Sequence, residues 1–234
     1  MSYSLSEIAA QSLKATRGAG YPWGIAQEAG VATAVLSGYG LPGVAGLCRL
    51  LQIMAGPPWH QMQQHRPQVS ARLHSSSFPV WQAQEGFLCS VLAGCAIADY
   101  ANLIIKAGGL VMKSVYVPLL TAAAARVVAQ VGQVGVTVTW EGAIIACSPR
   151  DLRHISGDDL LVDNVPEVSM TCRALEEEGL HKDVVAQAAL TARDQINVQD
   201  KCWRRLEVFA ERTYVPDSET SRLSGAGAGV QDND

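Results

Sequence analysis

The C-terminal segment from Arg212 to Asp234 carries residue types that suit binding chemistry. Its glycines stand at alternate positions, which lets a backbone bend sharply or come close to another surface. Arginine offers a planar fork of donors that matches a carboxylate or a phosphate. The pattern therefore predicts that this segment is a binding element. Its predicted ligand-binding residues are Tyr214, Ser218, Ser221, Arg222, Gly225, Gly227 and Gly229.

A second glycine-rich segment, Arg17-Gly-Ala-Gly20, stands between two predicted helices. Arg17 and the free amides at the start of the following helix could hold an anion. The alternative is a helix–turn–helix corner with Trp23 in the core. Because Gly-Ala-Gly recurs near the C-terminus, the two loops are expected to pack together or around one ligand. The residues predicted to bind ligand here are Arg17, Gly18, Gly20, Trp23 and Glu28.

Two aspartates are candidates for proton transfer. Asp99 is the only charge in the apolar run Phe87–Ile105. A buried carboxylate must be paired, hydrogen-bonded or protonated, so Asp99 could act as a general acid or base. The alternative is a structural pairing, for example with Arg126. Asp232, in the acidic end of the chain, is the second catalytic candidate.

No cluster of histidines and acids predicts a metal site. His60, His65 and His74 lie in a polar segment, and their spacing does not match the i, i+4 pair of a helical zinc site. His154 stands near the aspartates of 158–163, but aspartates beside glycine are more often turn formers. The sequence also lacks a Gly-x-Ser-x-Gly elbow and a dinucleotide-binding glycine fingerprint, so no cofactor is assigned.

Composition indicates a sizeable core. The chain has 234 residues, of which 48% are hydrophobic and 17% charged, and its net charge is -4. A negative chain without a basic cluster disfavours nucleic acid as a partner. The six cysteines form no zinc spacing and mostly lie in apolar runs, as buried thiols of a reducing cytoplasm do.

No membrane partner or secretory signal is predicted. The run Phe87–Ile105 contains Asp99, Asn102 and many small residues, which make insertion into a bilayer costly. The N-terminus has no basic stretch followed by a long apolar run. These features favour a buried helix in a cytoplasmic protein.

The first third of the chain reads as helical. A capping box at Ser4–Glu7 predicts a helix to about Thr16. Pro22 suits the first turn of a second helix, which runs to about Leu36. A third helix begins at Pro42, with Val44, Leu47, Leu51 and Met54 on one face.

The rest of the chain alternates in type. Residues 57–79 predict a long polar loop that could mark a sub-boundary. The further predicted elements are a buried helix Trp81–Lys106, a strand Leu110–Val117, a helix from Pro118 to about Val131, a hairpin of Val134–Trp140 and Ala143–Cys147, a polar loop Ser148–Asp163, a strand Val165–Cys172, and helices His181–Ile196 and Val198–Glu211.

This order predicts an α+β fold. We expect a mixed or mostly antiparallel sheet with helices packed on it, a helical N-terminal third and a helical C-terminal segment. Residues 1–213 are predicted to form a single globular domain, and residues 214–234 a glycine-rich tail packed on it.

Both ends of the chain carry a resemblance. The opening (Ala15-Thr-Arg-Gly-Ala-Gly20, Trp23-Gly24) and the ending (Thr213-Tyr-Val-Pro216, Gly225-Ala-Gly-Ala-Gly229) resemble an uncharacterised proteobacterial family known only as a domain of unknown function. The resemblance spans about Leu5 to Asp234, and it implies a bacterial cytoplasmic protein with an ordered tail. It carries no catalytic role.

A shorter resemblance concerns the second helix and the Gly40-Leu-Pro-Gly43 turn after it. This stretch resembles the N-terminal region of malate/lactate dehydrogenase-like enzymes.

Three functional hypotheses follow. The first is an enzyme or enzyme subunit that binds a small polar or carboxylated metabolite. In it Arg17 and Arg222 bind anionic groups, Tyr214 and Ser221 position the substrate, and Asp99 or Asp232 handles protons. The second is a non-catalytic binding or assembly module whose tail docks on a partner protein. The third is a structural homodimer with the predicted helix 81–106 at its interface.

Overall fold

The computed structural model describes residues 1–69, 78–175 and 195–214. Within them, a mixed sheet is covered by helices, which confirms the α+β prediction. The helices are α1 (Leu5–Gly18), α2 (Trp23–Gly38), α3 (Gly43–Met54), α4 (Trp59–Met62), α5 (Ser90–Asp99), α6 (Ala101–Ala107), α7 (Thr121–Gly132) and α8 (Asp200–Glu211). The strands are β1 (Ser2–Ser4), β2 (Pro67–Gln68), β3 (Val80–Ala83), β4 (Leu88–Cys89), β5 (Gly109–Tyr116), β6 (Val134–Trp140), β7 (Ala143–Cys147), β8 (Leu152–Ser156), β9 (Asn164–Ala174) and β10 (Gln195–Asn197).

The three N-terminal helices form as their local sequence predicts. The Ser4 side chain accepts from the Glu7 amide, and the Glu7 carboxylate accepts from the Ser4 amide, so the capping box is present. The α3 stripe of Val44, Leu47 and Met54 is buried. Amphipathic spacing and capping depend only on neighbouring residues, so the sequence alone predicts them.

The main sheet has the strand order β2-β3-β5-β9-β6-β7-β8, and β4 also pairs with β5. Strands β3 and β4 run parallel to β5, and the other pairs are antiparallel. The predicted hairpin at Glu141-Gly142 joins β6 to β7, and Gly142 has the positive φ of +96° that its turn requires. A short β1–β10 ladder ties the N-terminus to the start of α8.

The prediction of one long helix over 81–106 is wrong. Val80–Ala83 and Leu88–Cys89 are strands, and only then do α5 and α6 follow. The apolar run hides this change because buried strands and buried helices share the same composition. No single helix in the described part of the chain is long and apolar enough to cross a bilayer, and the pair α5–α6 bends by 79° at its break.

Other boundaries also differ from the sequence prediction. The polar segment 148–163 contains β8, an edge strand whose largely solvent-facing side chains give a weak apolar signal. Residues 57–69 contain α4 and β2. Helix α8 begins at Asp200 and not at the predicted Val198. Most of the predicted helix 181–196 lies outside the described residues, and its last residues belong to β10.

Helices stack in layers on the sheet. Helix α7 contacts β6 and β7, α5 packs on α7, and α2 packs across both α5 and α7. Helix α1 packs on α2, and α8 closes this outer layer by packing on α1 and α3. One cluster of buried side chains runs through all these layers. The prediction of a separate tail stays a prediction, because residues 215–234 lie outside the described residues.

Candidate functional site

A groove opens where α2, α5 and α7 meet. Its volume is ≈ 200 Å³. The helices can approach closely because their facing residues are small: a Cβ added at Gly94 would lie 3.7 Å from the Ala124 Cβ. Between its ends the groove is lined by alanine, valine and leucine side chains. Such a pocket excludes water while leaving a few polar groups to orient a ligand.

Arg126 supplies the positive charge of the groove. It projects from the alanine-rich α7 and is half-buried, with its guanidinium 5.7 Å from the centre of the Tyr39 ring. With its amide oxygen turned toward this guanidinium, Gln130 accepts from both terminal nitrogens at 3.2 Å. The Nε of Arg126 is buried and has no hydrogen-bond partner. Arg126 is therefore held in position while one of its donors stays unused.

Ser90 supplies a second unused polar group. It is the first residue of α5, it lines the groove, and it is 0% exposed. Its Oγ has no hydrogen-bond partner. A buried polar atom without a partner costs about 1–3 kcal/mol, so such atoms call for an explanation.

The groove holds two of the four such atoms found in the described residues. The other two are Ser12 Oγ and Trp81 Nε1. A hydroxyl and a guanidinium Nε–H both donate, so an acceptor that reached either atom would give it a partner.

The opposite end of the groove is acidic. Glu28 on α2 is exposed at the rim. Burial, and then the Glu28 carboxylate, raise the pKa of the Cys95 thiol on α5 to about 12. The thiol is therefore protonated at neutral pH and a poor nucleophile. The groove thus has binding groups, and Cys95 acts as part of its wall.

The structure places most of the predicted N-terminal site on a different surface, the α1–α2 corner. There Arg17 donates from Nη1 to the Tyr21 carbonyl at 2.7 Å, and its guanidinium lies 5.3 Å from the Trp23 ring centre. Gly18 lies so close to α8 that an added Cβ would be 1.8 Å from the Phe209 carbonyl oxygen. Gly20 has a positive φ of +105°. The alternative that put Trp23 in the core is wrong, since this side chain is 63% exposed.

Glu28 is the one predicted N-terminal residue that lines the groove. Of the five residues predicted to bind ligand in this part of the chain, four therefore lie at the α1–α2 corner, and Glu28 lies on the groove wall.

Asp99 requires a correction. It is exposed at the last residue of α5, and it forms no ion pair with Arg126 or with any other described residue. The sequence placed it in the middle of a buried helix, but the helix ends there because the chain bends into α6. The expectation that Asp99 acts as a general acid or base depended on burial, which this exposed carboxylate lacks.

Of the predicted tail residues, only Tyr214 is described. Its ring centre lies 6.0 Å from the Lys14 Nζ, which places Tyr214 beside α1. The remaining predicted tail residues lie outside the described residues: Ser218, Ser221, Arg222, Gly225, Gly227, Gly229 and Asp232.

The histidines of the described residues have structural partners or face solvent. The His65 Nδ1 lies 3.0 Å from the Phe87 carbonyl, and the His154 Nε2 lies 2.9 Å from the Ser156 carbonyl. Asp163 pairs with Arg49. Within the described ranges, no group of three histidine, cysteine or acidic side chains is placed to hold a metal.

The sequence did not single out Ser90, and it indicated Arg126 only as a structural pairing partner of Asp99. One signal was present: Arg126 is the only charge in the helix Thr121–Gly132, where a structural arginine is unexpected. Ser90 gave no signal, because a serine beside an apolar run is ordinary. Ser90 stands out only because its hydroxyl has no hydrogen-bond partner, and the sequence does not show that.

A family model for a protein of unknown function (DUF3726) matches residues 3–76. This confirms the predicted resemblance to an uncharacterised family over that stretch, which includes α1, α2 and α3. No curated protein matches the sequence.

Three solved structures resemble the fold. Malate dehydrogenase from Pyrococcus horikoshii OT3 has a TM-score of 0.52 at 9% identity, over 90% of this chain and 90% of that one. Sulfolactate dehydrogenase from Methanocaldococcus jannaschii has a TM-score of 0.53 at 9% identity, over 90% and 97% of the two chains. Malate dehydrogenase from Entamoeba histolytica reaches only 0.47 at 13% identity, over 67% and 49%.

At identities this low, the likeness concerns the fold alone. Over residues 3–76 the chain is similar to a family of unknown function, and over 90% of its length it shares the fold of two dehydrogenases of small organic acids.

Proposed function

We propose that this protein is a cytoplasmic enzyme or enzyme subunit that binds a small carboxylated metabolite in the groove between α2, α5 and α7. The observation that carries the proposal is the wall of the groove, where the half-buried Arg126 and the buried Ser90 stand among apolar side chains, each with one polar atom that has no partner. In this proposal Arg126 binds the carboxylate of the ligand, and Ser90 is a second polar group on the same wall.

Charge favours an anion over a neutral ligand. Arg126 is the only basic side chain among the described residues that line the groove. Its guanidinium is fixed by Tyr39 and Gln130 before any ligand arrives, so little side-chain entropy is lost on binding. A guanidinium with a free Nε–H can hold a carboxylate through two parallel hydrogen bonds.

The fold gives weaker support. The two similar structures with TM-scores above 0.5 are named for malate and for sulfolactate, which are small organic acids. All six cysteines are free thiols, in keeping with a reducing compartment.

Calorimetric titration with malate, succinate, butanoate and hexanoate tests the proposal. At least one of these acids is expected to bind the wild-type protein. Arg126→Gln should weaken that binding about tenfold to a hundredfold, since a hydrogen bond to a charged group contributes roughly 1.5–3 kcal/mol. Arg173→Gln, at the exposed end of β9, is the control and should bind as the wild type does.

If Arg126→Gln leaves the carboxylate affinity unchanged, as Arg173→Gln is expected to do, the proposal is contradicted. Removal of residues 215–234 forms a further arm. A loss of affinity on removal would bring the predicted tail residues, Arg222 among them, into the same site.

A further inference from the structure

The wall of the groove is apolar between its two polar ends. Helix α2 contributes Val31 and Val35, α5 contributes Val91 and Ala98, and α7 contributes Val127. None of these side chains can accept or donate a hydrogen bond. A ligand that fills this stretch therefore gains affinity through apolar groups and loses affinity through polar ones.

The two ends of the groove carry opposite charges. Among the described residues on its wall, Glu28 is the one carboxylate and Arg126 the one basic side chain. Glu28 lies in the first half of α2, whereas Tyr39, which contacts Arg126, caps the end of that helix. Eleven residues of helix separate them, which is roughly 16 Å along the axis. A ligand anchored at Arg126 thus extends toward a carboxylate.

We infer that the groove selects a monocarboxylate with an aliphatic body and rejects a second negative charge. The inference rests on the proposed function, because it takes Arg126 as the anchor. The carboxylate meets Arg126, and the aliphatic body lies along the valines and alanines. A second carboxylate further along the ligand lies among apolar side chains that give it no donor, and it approaches Glu28, whose charge repels it.

This selectivity separates the site from the named substrates of the two similar structures. Malate carries two carboxylates, and sulfolactate carries a carboxylate and a sulfonate. A wall with one cation and one anion neutralises one negative charge on a ligand and opposes the next. The shared fold therefore does not predict a shared ligand here.

A titration series at pH 7.5 measures the inference directly. Butanoate, pentanoate and hexanoate should bind with affinities that rise about three- to fourfold per methylene, the increment expected for burying one CH₂ group. Hexanedioate has the same length as hexanoate and one more carboxylate, and it should bind at least tenfold more weakly. Malate should bind more weakly than hexanoate as well.

Two variants identify the residues responsible. Glu28→Gln should narrow the gap between hexanoate and hexanedioate severalfold, with hexanoate itself little changed. Ala98→Leu places a larger side chain in the groove, and it should weaken hexanoate at least tenfold while acetate is affected less. Val131→Leu, on an exposed position of α7 outside the groove wall, is the matched control. Thermal melting without ligand checks that each variant folds.

Failure of the inference and failure of the proposed function are distinguishable. If malate or hexanedioate binds as tightly as hexanoate, and Arg126→Gln still abolishes binding, then the inference is overturned and the proposed function stands. If no carboxylate binding depends on Arg126, the proposed function falls and the inference with it. If sedimentation shows a dimer that Ala98→Leu dissociates and Val131→Leu does not, a second copy of the chain occupies the groove, which also overturns the inference.

Discussion

The α1–α2 corner and the groove between α2, α5 and α7 contain the same residue types but differ in packing. Each has small residues where helices approach and one arginine near a helix. At the corner, Gly18 packs against the α8 backbone. Arg17 donates to the Tyr21 carbonyl and lies over the Trp23 ring. In the groove, space remains, and Arg126 keeps a donor without a partner.

The difference teaches that an arginine beside glycine or alanine does not by itself indicate a binding site. What matters is whether the rest of the chain satisfies its donors. A satisfied arginine holds the fold together, and an unsatisfied buried donor is a cost that a ligand can remove.

The largest expected effect is a loss of stability at the tightly packed α1–α2 corner. Gly18→Ala should lower the free energy of unfolding by about 3 kcal/mol, because a Cβ at Gly18 meets the rigid backbone of Phe209. Gly24→Ala is the matched control in the next helix, where an added Cβ meets nothing within 4 Å. It should change stability by less than about 1 kcal/mol. Urea denaturation measures both, and equal effects would show that the corner is not tightly packed.

The two arginines provide the second test. Arg126→Gln should weaken carboxylate binding about tenfold to a hundredfold. Arg17→Gln should lower the melting temperature and leave the affinity unchanged, because Arg17 already has partners within the chain. The opposite pattern in calorimetry would return the ligand to the α1–α2 corner, where the sequence first placed it.

Alkaline pH separates the Cys95 thiol on the groove wall from the Cys48 thiol on α3. An unfolded thiol ionises near the ordinary pKa of 9.0, whereas burial raises the pKa of Cys95 to about 12. Between these values the unfolded chain has lost a proton that the folded chain keeps, so stability falls as pH rises. Cys95→Ala should reduce the slope by up to about 1.4 kcal/mol per pH unit between pH 9 and 12.

Cys48, on the α3 face toward α8, has a pKa raised by burial to about 11, so its part of the decline should end earlier. Denaturation at a series of pH values checks this order. A Cys95→Ala slope equal to that of the wild type would mean that the groove wall is wetter than the structure indicates.

The smallest predicted effect is also the most specific. Ser90→Ala removes a buried hydroxyl without a partner, so it should raise stability by about 1 kcal/mol and weaken carboxylate binding. Ser12→Ala on α1 removes the same kind of group outside the groove. It should raise stability similarly and leave binding intact. If both variants bind normally, Ser90 does not contact the ligand.

Local signals allowed much of the fold to be predicted. The capping box at Ser4, the stripe of α3 and the turn at Gly142 each depend on a few neighbouring residues. The prediction for segment 81–106 failed because both of its strands depend on pairing with distant residues, Val80 with Val111 and Leu88 with Val115, and β3 pairs with β2 as well. Pairing of that kind leaves no periodic trace in a uniformly apolar run.

The candidate site was less predictable than the fold. The sequence grouped Glu28 with Arg17 and Trp23, whereas the structure places it on the groove wall. It singled out Asp99 on the basis of burial, but Asp99 is exposed. Ser90 became visible only when its lack of a partner could be seen. The tail residues remain a prediction.

By itself, the sequence determined the helical N-terminal third, the hairpin, the apolar core and the negative net charge, because these follow from neighbouring residues and from composition. Tertiary structure alone decided that Arg17 is used within the chain, that Asp99 faces solvent, and that Ser90 and Arg126 share one cavity. The physical reason is that hydrogen-bond satisfaction depends on which distant groups come within about 3 Å, and a linear pattern does not encode that distance.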